Sequence, residues 1–158
     1  MKLYHGTNRA FDEIDLLMSK PNKDFGRGFY LSPDYEQALN MARIKTEQQQ
    51  EGEPIVMVYE VDETEMQKLQ VLCFEEYNEK WAEFILANRN NKTGDSVHQY
   101  DVVVGPIADD RVGVQLWKYE NQLIDLHTLV RKLKYMKGMT IQYFFGTEKA
   151  VSLLKQVK

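Results

Sequence analysis

The sequence DFGRGFYLS, residues Asp24–Ser32, is the most distinctive stretch of the chain. Two glycines, Gly26 and Gly28, surround Arg27 and are followed by three large apolar residues. Glycine lets the backbone adopt a positive φ or approach a neighbour closely, because it has no Cβ. Phe29–Leu31 is typical of a short buried strand. The stretch therefore predicts a glycine loop leading into an aromatic strand, an arrangement that can hold a flat ligand against a ring.

A helix is predicted to begin directly after this strand. Ser32 is the expected N-cap, Pro33 the first helical residue, and Asp34 a favourable charge for the helix dipole. Apolar residues then recur at helical spacing and predict a buried face, which consists of Tyr35, Ala38, Leu39 and Ala42. A loop, a strand and a helix are thus expected in immediate succession.

The rest of the chain predicts further strands and helices in irregular alternation. Strands are expected over residues 1–5, 55–61, 71–74, 100–105 and 140–145. Helices are expected over residues 75–88, 112–120, 126–133 and 147–156, with polar connections over 46–54 and 90–99. Residues 11–18 fit a helix or a short packed loop. This pattern predicts one α+β domain over residues 1–158 with a mixed or split β-sheet.

The composition limits the classes of function. The chain has 158 residues, of which 43% are hydrophobic and 28% charged, enough for one domain with a sizeable core. The net charge of −4 gives no global basic field that would attract nucleic acid or anionic lipid. No apolar run approaches the roughly 18 residues that a membrane span requires, so no membrane partner is expected.

Cysteine and histidine are scarce in the chain. Cys73 is the only cysteine, so an intrachain disulfide cannot form, and a reducing, cytoplasmic location is expected. The three histidines are scattered along the sequence. A metal site is therefore not expected.

Two motifs resemble a known superfamily. Tyr4–Thr7 reads YHGT and Phe25–Tyr30 reads FGRGFY. Together they resemble the first two motifs of the ADP-ribosyltransferase superfamily, in the His-Tyr-Glu branch that includes diphtheria toxin and the poly(ADP-ribose) polymerases. The chain resembles still more a group of small bacterial relatives with DFG-basic-GFYL and a following helix, here Glu36–Ala38. The resemblance implies an α+β fold in which helices flank a split mixed β-sheet and NAD occupies the cleft.

The resemblance also implies a role for each matching residue. His5 would bond a ribose hydroxyl of NAD, the Gly6 backbone would grip the nicotinamide carboxamide, and Tyr30 would stack on the nicotinamide ring. An aromatic face beside amide contacts is a usual way to hold a planar heterocycle. Thr7 adds a hydroxyl, and Arg27 offers a planar fork for the pyrophosphate. The alternative interpretations are a structural half-buried histidine and a solvated loop arginine.

The third motif of that superfamily is where this chain differs. The superfamily has a glutamate on a late strand, and the matching strand here is Thr140–Phe145. Gln142 is its only polar residue at mid-strand, so it is the candidate for the glutamate position. A glutamine can bond a ribose hydroxyl but supplies no negative charge to a developing cation. The negative charge could come from another carboxylate, Asp24 or Glu148, or from a group of the substrate. Transfer of a single ADP-ribose is expected rather than formation of a polymer.

The resemblance implies an NAD-dependent mono-ADP-ribosyltransferase with His5, Tyr30 and Gln142 as its catalytic residues. It would transfer ADP-ribose to a protein or nucleic-acid acceptor and release nicotinamide. Small members resemble toxin or effector enzymes, which implies an antitoxin or inhibitor partner. Two alternatives stay open: an NAD- or ADP-ribose-binding pseudoenzyme, and an RNA-directed transferase similar to the RNA 2′-phosphotransferases. The acidic net charge disfavours the second alternative.

Five polar residues outside these motifs have ordinary structural interpretations. Asn88 and Arg89, at the end of a predicted helix, fit a cap or a substrate contact. Asp101, Asp109 and Asp110 flank a Gly-Pro turn, where turn roles are expected. The Asp109-Asp110 pair lacks a third metal ligand at fixed spacing.

Overall fold

Two β-sheets organise the chain. The computed structural model describes residues 1–136 and 138–158. The strands are β1 (Lys2–Thr7), β2 (Phe29–Leu31), β3 (Ile55–Glu60), β4 (Val71–Cys73), β5 (Val102–Pro106), β6 (Ile141–Phe145) and β7 (Lys155–Val157). The α-helices are α1 (Tyr35–Gln49), α2 (Glu63–Gln67), α3 (Glu79–Arg89), α4 (Asp110–Glu120), α5 (Leu126–Lys134) and α6 (Glu148–Val151), and Leu16–Met18 forms a 3₁₀ turn. No helix within these residues has the length and apolar character that a membrane crossing demands.

The sheets have different topologies and are joined at one pair of residues. The first sheet is antiparallel with the order β1-β3-β7, and the second is mixed with the order β2-β6-β5-β4. Only β4 and β5 pair in parallel in the second sheet. Tyr4 and Ser32 exchange two backbone hydrogen bonds, each of 2.8 Å, and so link β1 to the end of β2. The α+β class is therefore confirmed.

Two hydrophobic cores lie on opposite faces of the mixed sheet. One core fills the space between the two sheets and includes Leu3, Met57, Phe29, Leu31 and Phe145. The other packs the mixed sheet against α3, α4 and α5 and includes Trp81, Ile85, Leu116, Leu129 and Phe144. The alternation along a strand produces this division, since neighbouring side chains point to opposite faces. In β6, Ile141, Tyr143 and Phe145 face the core between the sheets, whereas Phe144 faces the helices.

The start of α1 differs from the prediction. Asp34, not Ser32, is the N-cap, because its carboxylate accepts hydrogen bonds from the backbone N–H groups of Glu36 and Gln37 at 2.9 and 3.4 Å. The Ser32 backbone is engaged by Tyr4 in the bridge between the sheets, which keeps it extended and outside the helix. Tyr35, expected in the buried face, is 46% exposed.

The C-terminal helix predicted over residues 147–156 is wrong. α6 ends at Val151, and Lys155–Val157 instead forms β7 against Glu60–Val58 of β3. β7 gives partners to the backbone groups of β3 that β1 does not reach, and this requirement outweighs the local helical spacing. Residues 11–18 adopt the packed loop rather than a helix, apart from the 3₁₀ turn at Leu16–Met18.

Candidate functional site

The two sheets separate immediately after their bridge. Because Tyr4 directs both backbone groups to Ser32, alternation directs those of Gly6 toward β2 as well. The next pair in register would be Gly6 and Tyr30, but the bridge is isolated. The Tyr30 carbonyl instead accepts a hydrogen bond from His5 Nδ1 at 2.7 Å. Among the described residues no backbone pair forms between Gly6 and Tyr30; this break in the pairing, toward which the Gly6 N–H and C=O are directed, is here called the opening. The prediction that β1 ends at His5 is wrong, since the strand continues to Thr7.

The imidazole of His5 is held neutral. Its Nδ1 donates to a carbonyl, which leaves Nε2 as an acceptor. Burial, with smaller contributions from the charges of Lys45 and Lys23, lowers the pKa of His5 to about 4, although the hydrogen bond to Tyr30 opposes this shift. The ring is stacked on Phe29, with 4.2 Å between centroids and 28° between planes. At neutral pH the Nε2 atom of this side chain can accept a hydrogen bond from a ligand hydroxyl.

A cavity of about 490 Å³ adjoins His5 and is here called the cleft cavity. Its walls come from β1, the loop that follows β1, the segment that leads into β2, β2 itself and the C-terminal half of α1. They include His5, Thr7, Glu13, Lys23, Tyr30 and Lys45. Its volume lies in the range of roughly 300–1,000 Å³ that is usual for small-molecule sites. Charged groups of both signs, polar groups and apolar side chains such as Phe11 and Phe29 therefore surround a space large enough for a nucleotide-sized ligand.

Tyr30 is fixed by its hydroxyl group. The hydroxyl donates to the Gly26 carbonyl at 2.6 Å and accepts from the Phe25 N–H at 3.0 Å. Burial raises the pKa of Tyr30 well above its ordinary value, so the phenol is neutral. Phe144 packs edge-on against the ring at 5.3 Å between centroids, and Lys23 Nζ lies over the ring at 5.4 Å from its centroid. The Tyr30 ring thus presents a face that holds a cation.

His5 and Tyr30 meet through the Tyr30 backbone and not through their rings. The His5 ring lies against Phe29 in the space between the sheets. The Tyr30 ring lies on the other face of β2, against Phe144 and Phe25. A ligand that used both side chains would have to pass through the opening where the sheets separate.

The glycines of both motifs have reasons in the fold. Gly26 has a φ of +95°, a conformation that disfavours side chains with a Cβ. A Cβ at Gly28 would lie 2.2 Å from the Phe144 ring, and one at Gly6 would lie 2.0 Å from the Ala38 carbonyl oxygen in α1. These three glycines are required by the fold, whatever contacts their backbones make with a ligand.

The glycine loop, defined as Asp24–Gly28, is held by α3 and by the segment after it. Arg89 Nε donates to Asp24 Oδ1 at 2.7 Å in a half-buried ion pair. His98 Nε2 lies 2.7 Å from the Phe25 carbonyl oxygen, and Asn88 packs against the loop. Arg89 therefore serves the loop rather than a helix cap. The sequence pattern did not indicate His98, which is 73 residues from Phe25.

Arg27 and Gln142 do not line the cleft cavity. Arg27 is half-buried, and its Nε has no hydrogen-bond partner among the residues described. Gln142 pairs with Gly105 and lies on the Tyr30 face of the mixed sheet, one diagonal step from Tyr30, which corresponds to roughly 7–8 Å. Its Nε2 is buried and also lacks a partner within the described part of the chain. The ligand roles of both residues stay predictions.

The carboxylates of the cleft cavity differ from those named by the sequence. Asp24 is bound by Arg89, and Glu148 lies in the first turn of α6, outside the cavity. The lining acids are Glu13, Asp15 and Glu51. Asp15 caps the 3₁₀ turn and Glu51 pairs with Arg9. Glu13 is exposed and forms no ion pair in the described residues. Sequence reasoning missed these acids because no spacing pattern marks their loops.

The remaining acidic candidates have structural roles. Asp101 is buried and accepts hydrogen bonds from the Gln70 N–H and the Thr147 hydroxyl at 2.9 and 2.7 Å. Asp109 is the N-cap of α4 and accepts from the Val112 N–H at 3.0 Å. Asp110 lies in the first turn of that helix. The described residues contain no group of three side chains suited to a metal ion.

Comparison with known proteins gives a family and no relative of known activity. No curated protein matches the chain, and no solved structure matches it. A family model described as a protein of unknown function, DUF3990, matches residues 1–156. The chain therefore belongs to the DUF3990 family.

Proposed function

We propose that the protein is an NAD-dependent mono-ADP-ribosyltransferase. It transfers one ADP-ribose to a macromolecular acceptor and releases nicotinamide. The observation that carries the proposal is the opening between Gly6 and Tyr30, where two sheets part beside a neutral histidine and a polar cavity. This opening joins both sequence motifs at one place.

The groups around the opening fit the parts of NAD. The Gly6 N–H and C=O, which are directed away from β3 and have no backbone partner among the described residues, offer one donor and one acceptor, which matches the acceptor and donor of a carboxamide. The Tyr30 face accommodates the Lys23 cation, and a positively charged nicotinamide ring can take that place. His5 Nε2 is an acceptor for a ribose hydroxyl. Gln142 Nε2, which has no partner among the described residues and lies on the same face as the Tyr30 ring, is a donor for another ribose hydroxyl.

The chain's contribution to the reaction is positioning. In the reaction, the bond between the ribose carbon C1′ of NAD and the nicotinamide nitrogen breaks, and C1′ forms a bond to the acceptor group. Nicotinamide leaves as a neutral molecule, and the acceptor group loses its proton. Two hydrogen bonds fix the Tyr30 ring, and the backbone of Tyr30 fixes the His5 ring, so both can orient a ligand without reorganising. Gln142 leaves the positive charge that develops on ribose without a counter-charge on β6. Slow turnover is expected from this arrangement.

Incubation with NAD labelled in its adenosine portion tests the proposal. The parent chain should release nicotinamide and place label on a macromolecule. His5→Ala and Tyr30→Ala should each reduce release by about ten-fold or more, because each removes a ligand contact. His127→Ala and Tyr135→Ala, both exposed, are the matched controls. Parent-level release by both site variants would contradict the proposal.

A binding module without catalysis is the second candidate, and the glutamine at position 142 favours it. The substitution Gln142→Glu separates the two, because it supplies the carboxylate that the superfamily pattern contains. For an enzyme, nicotinamide release should rise by roughly ten-fold or more. Gln156→Glu, on exposed β7, should leave release unchanged. Binding of NAD with no release from either the parent or the Gln142→Glu chain would favour the binding module.

The acceptor can be identified in the same labelled reaction. Label in the protein fraction of a bacterial extract supports a protein acceptor, and label in the RNA fraction supports the RNA-directed alternative. A toxin or effector role predicts that induced expression arrests bacterial growth and that His5→Ala relieves the arrest. Growth unaffected by the parent chain would contradict that role and would leave the transferase proposal to the labelled assay.

A further inference from the structure

Two lysines line the cleft cavity from different elements. Ala38, Ala42 and Lys45 share one face of α1. Ala38 and Ala42 pack on β1, and Lys45, further along the same face, lines the cavity. Lys23 lies just before the glycine loop. Neither forms an ion pair in the described residues, whereas the third cation of the wall, Arg9, is paired with Glu51. The cavity therefore contains two ammonium groups without acid partners.

These lysines are close enough to affect each other and His5. Partial burial lowers the pKa of Lys23, and the charges of Lys45 and Lys20 lower it further. The charge of Asp24, which is bound by Arg89, opposes this lowering and is the smallest of these effects. Glu13 and Asp15 also line the cavity and form no ion pair in the described residues, so the attraction for an anion is local to the two lysines. An anion bound between the two ammonium groups would relieve their mutual repulsion.

We propose that Lys23 and Lys45 bind the diphosphate of a nucleotide ligand in the cleft cavity. The inference rests on the proposed function, because that function makes the ligand a dinucleotide. The two lysines replace Arg27 as the predicted diphosphate ligands, since Arg27 does not line the cavity. An ammonium group bonds phosphate oxygens as a compact charge and needs no planar fork.

Lys23 has a second consequence for ligand binding. Its Nζ now lies over the face of Tyr30 on which a ring would stack. A ligand with both a ring and a diphosphate must move this ammonium off the ring, and the phosphates give it a new partner. Lys23 thus couples occupation of the ring position to occupation of the anion position. A ligand fragment with a ring alone has to displace Lys23 without that compensation.

Calorimetric titration with three probes tests this assignment. ADP-ribose carries the diphosphate without nicotinamide, inorganic pyrophosphate carries it alone, and nicotinamide lacks it. Lys45→Ala and Lys23→Ala should each weaken ADP-ribose and pyrophosphate binding by about ten- to a hundred-fold. Neither variant should weaken nicotinamide binding, and Lys23→Ala should strengthen it because the ring face is freed. Lys45→Arg should retain most of the ADP-ribose affinity.

Lys20→Ala is the matched control, since Lys20 is exposed, precedes Lys23 in the same loop and does not line the cavity. It should change ADP-ribose affinity by less than about three-fold, because Lys20 acts on Lys23 only through a charge exposed to solvent and contributes no group to the cavity wall. Thermal unfolding of every variant establishes that it is folded. Added salt should weaken ADP-ribose binding to the parent chain more steeply than to Lys45→Ala.

The outcomes separate the inference from the proposed function. Loss of ADP-ribose binding in the lysine variants supports the inference even where NAD is not cleaved, in which case the transferase proposal alone fails. Cleavage of NAD by a chain whose ADP-ribose affinity is unchanged in Lys23→Ala and Lys45→Ala overturns the inference and leaves the transferase proposal standing. Absence of binding by both ADP-ribose and pyrophosphate to the parent chain also overturns it.

Discussion

At the scale of single residues, the candidate site combines two neutral side chains, His5 and Tyr30, with the positively charged lysines Lys23 and Lys45. His5 is surrounded by Phe29, Phe11 and the two cavity lysines, so protonation would place a third cation in a poorly hydrated space. Tyr30 is neutral for the corresponding reason, since burial opposes its ionisation. His5 and Tyr30 therefore each keep one hydrogen-bonding form across the physiological pH range.

The lowered pKa of His5 predicts that acid destabilises the fold. The pKa is about 4 in the folded chain and near 6.5 when unfolded, so the unfolded state binds more protons between these values. The contribution of His5 to the free energy of unfolding is fully present above pH 6.5 and is lost as the pH falls toward 4. The total loss is about 3 kcal/mol at most. Urea unfolding at pH 7 and pH 5 measures it. His5→Asn should lose less stability on acidification than His127→Asn, and equal losses would contradict the prediction.

Tyr30→Phe separates the hydroxyl of Tyr30 from its ring. The substitution leaves the Phe25 N–H without its acceptor and the Gly26 carbonyl without its donor, at a cost of about 1–3 kcal/mol in the free energy of unfolding. The ring remains, so nicotinamide binding should fall far less than in Tyr30→Ala. Tyr135→Phe, 82% exposed, should leave both quantities unchanged. A Tyr30→Phe chain as stable as the parent would show that the hydroxyl contributes nothing to the loop.

At the scale of elements, the sequence predicts correctly those helices and strands whose pattern is local, and it fails where an element depends on a distant partner. β2, β6 and α3 to α5 were predicted because apolar alternation or helical spacing reports burial directly. The helix over 147–156 was predicted wrongly because β7 exists only through its pairing with β3, which is nearly 100 residues away. His5 and Tyr30 belong to a recognisable pattern. Lys23, Lys45 and Glu13 do not, because folding alone brings their loops and helix to one cavity.

The contact between α1 and β1 predicts a large effect of Gly6→Ala. The added methyl group would lie 2.0 Å from the Ala38 carbonyl oxygen and 2.8 Å from the Ala42 backbone nitrogen, so the helix must move away from the strand. We expect a loss of about 2–3 kcal/mol or more in the free energy of unfolding.

Gly113→Ala is the matched control for that substitution. Gly113 lies inside α4, and a Cβ there would meet no atom within 4 Å. Alanine should stabilise this helix by roughly 0.5–1 kcal/mol. Chemical denaturation of both variants compares them directly. A tolerated alanine at position 6 would mean that α1 does not pack on β1 as described, and the cavity wall that carries Lys45 would then need revision.

At the scale of the whole molecule, the mixed sheet connects both cores. Tyr30 and Phe144 contribute to the core against the helices, while Phe29 and Phe145, their neighbours in the chain, contribute to the core between the sheets. Neither core can be lost without exposing residues of strands that also build the other. The opening lies where the sheets part, so it depends on both cores.

This connection predicts that the chain unfolds in one cooperative step. Trp81 is fully buried in the helical core, and Trp117 is 57% exposed, so Trp117→Phe leaves a single tryptophan that reports on that core. Hydrogen exchange of the amides of β3 reports on the sheet at the opposite side of the molecule. Because the mixed sheet belongs to both cores, the free energy of unfolding from Trp81 fluorescence in urea should equal the opening free energy of the slowest β3 amides. A β3 that opens at a clearly lower free energy would show that the antiparallel sheet unfolds alone, and the cleft would then be bounded by one stable wall and one labile wall.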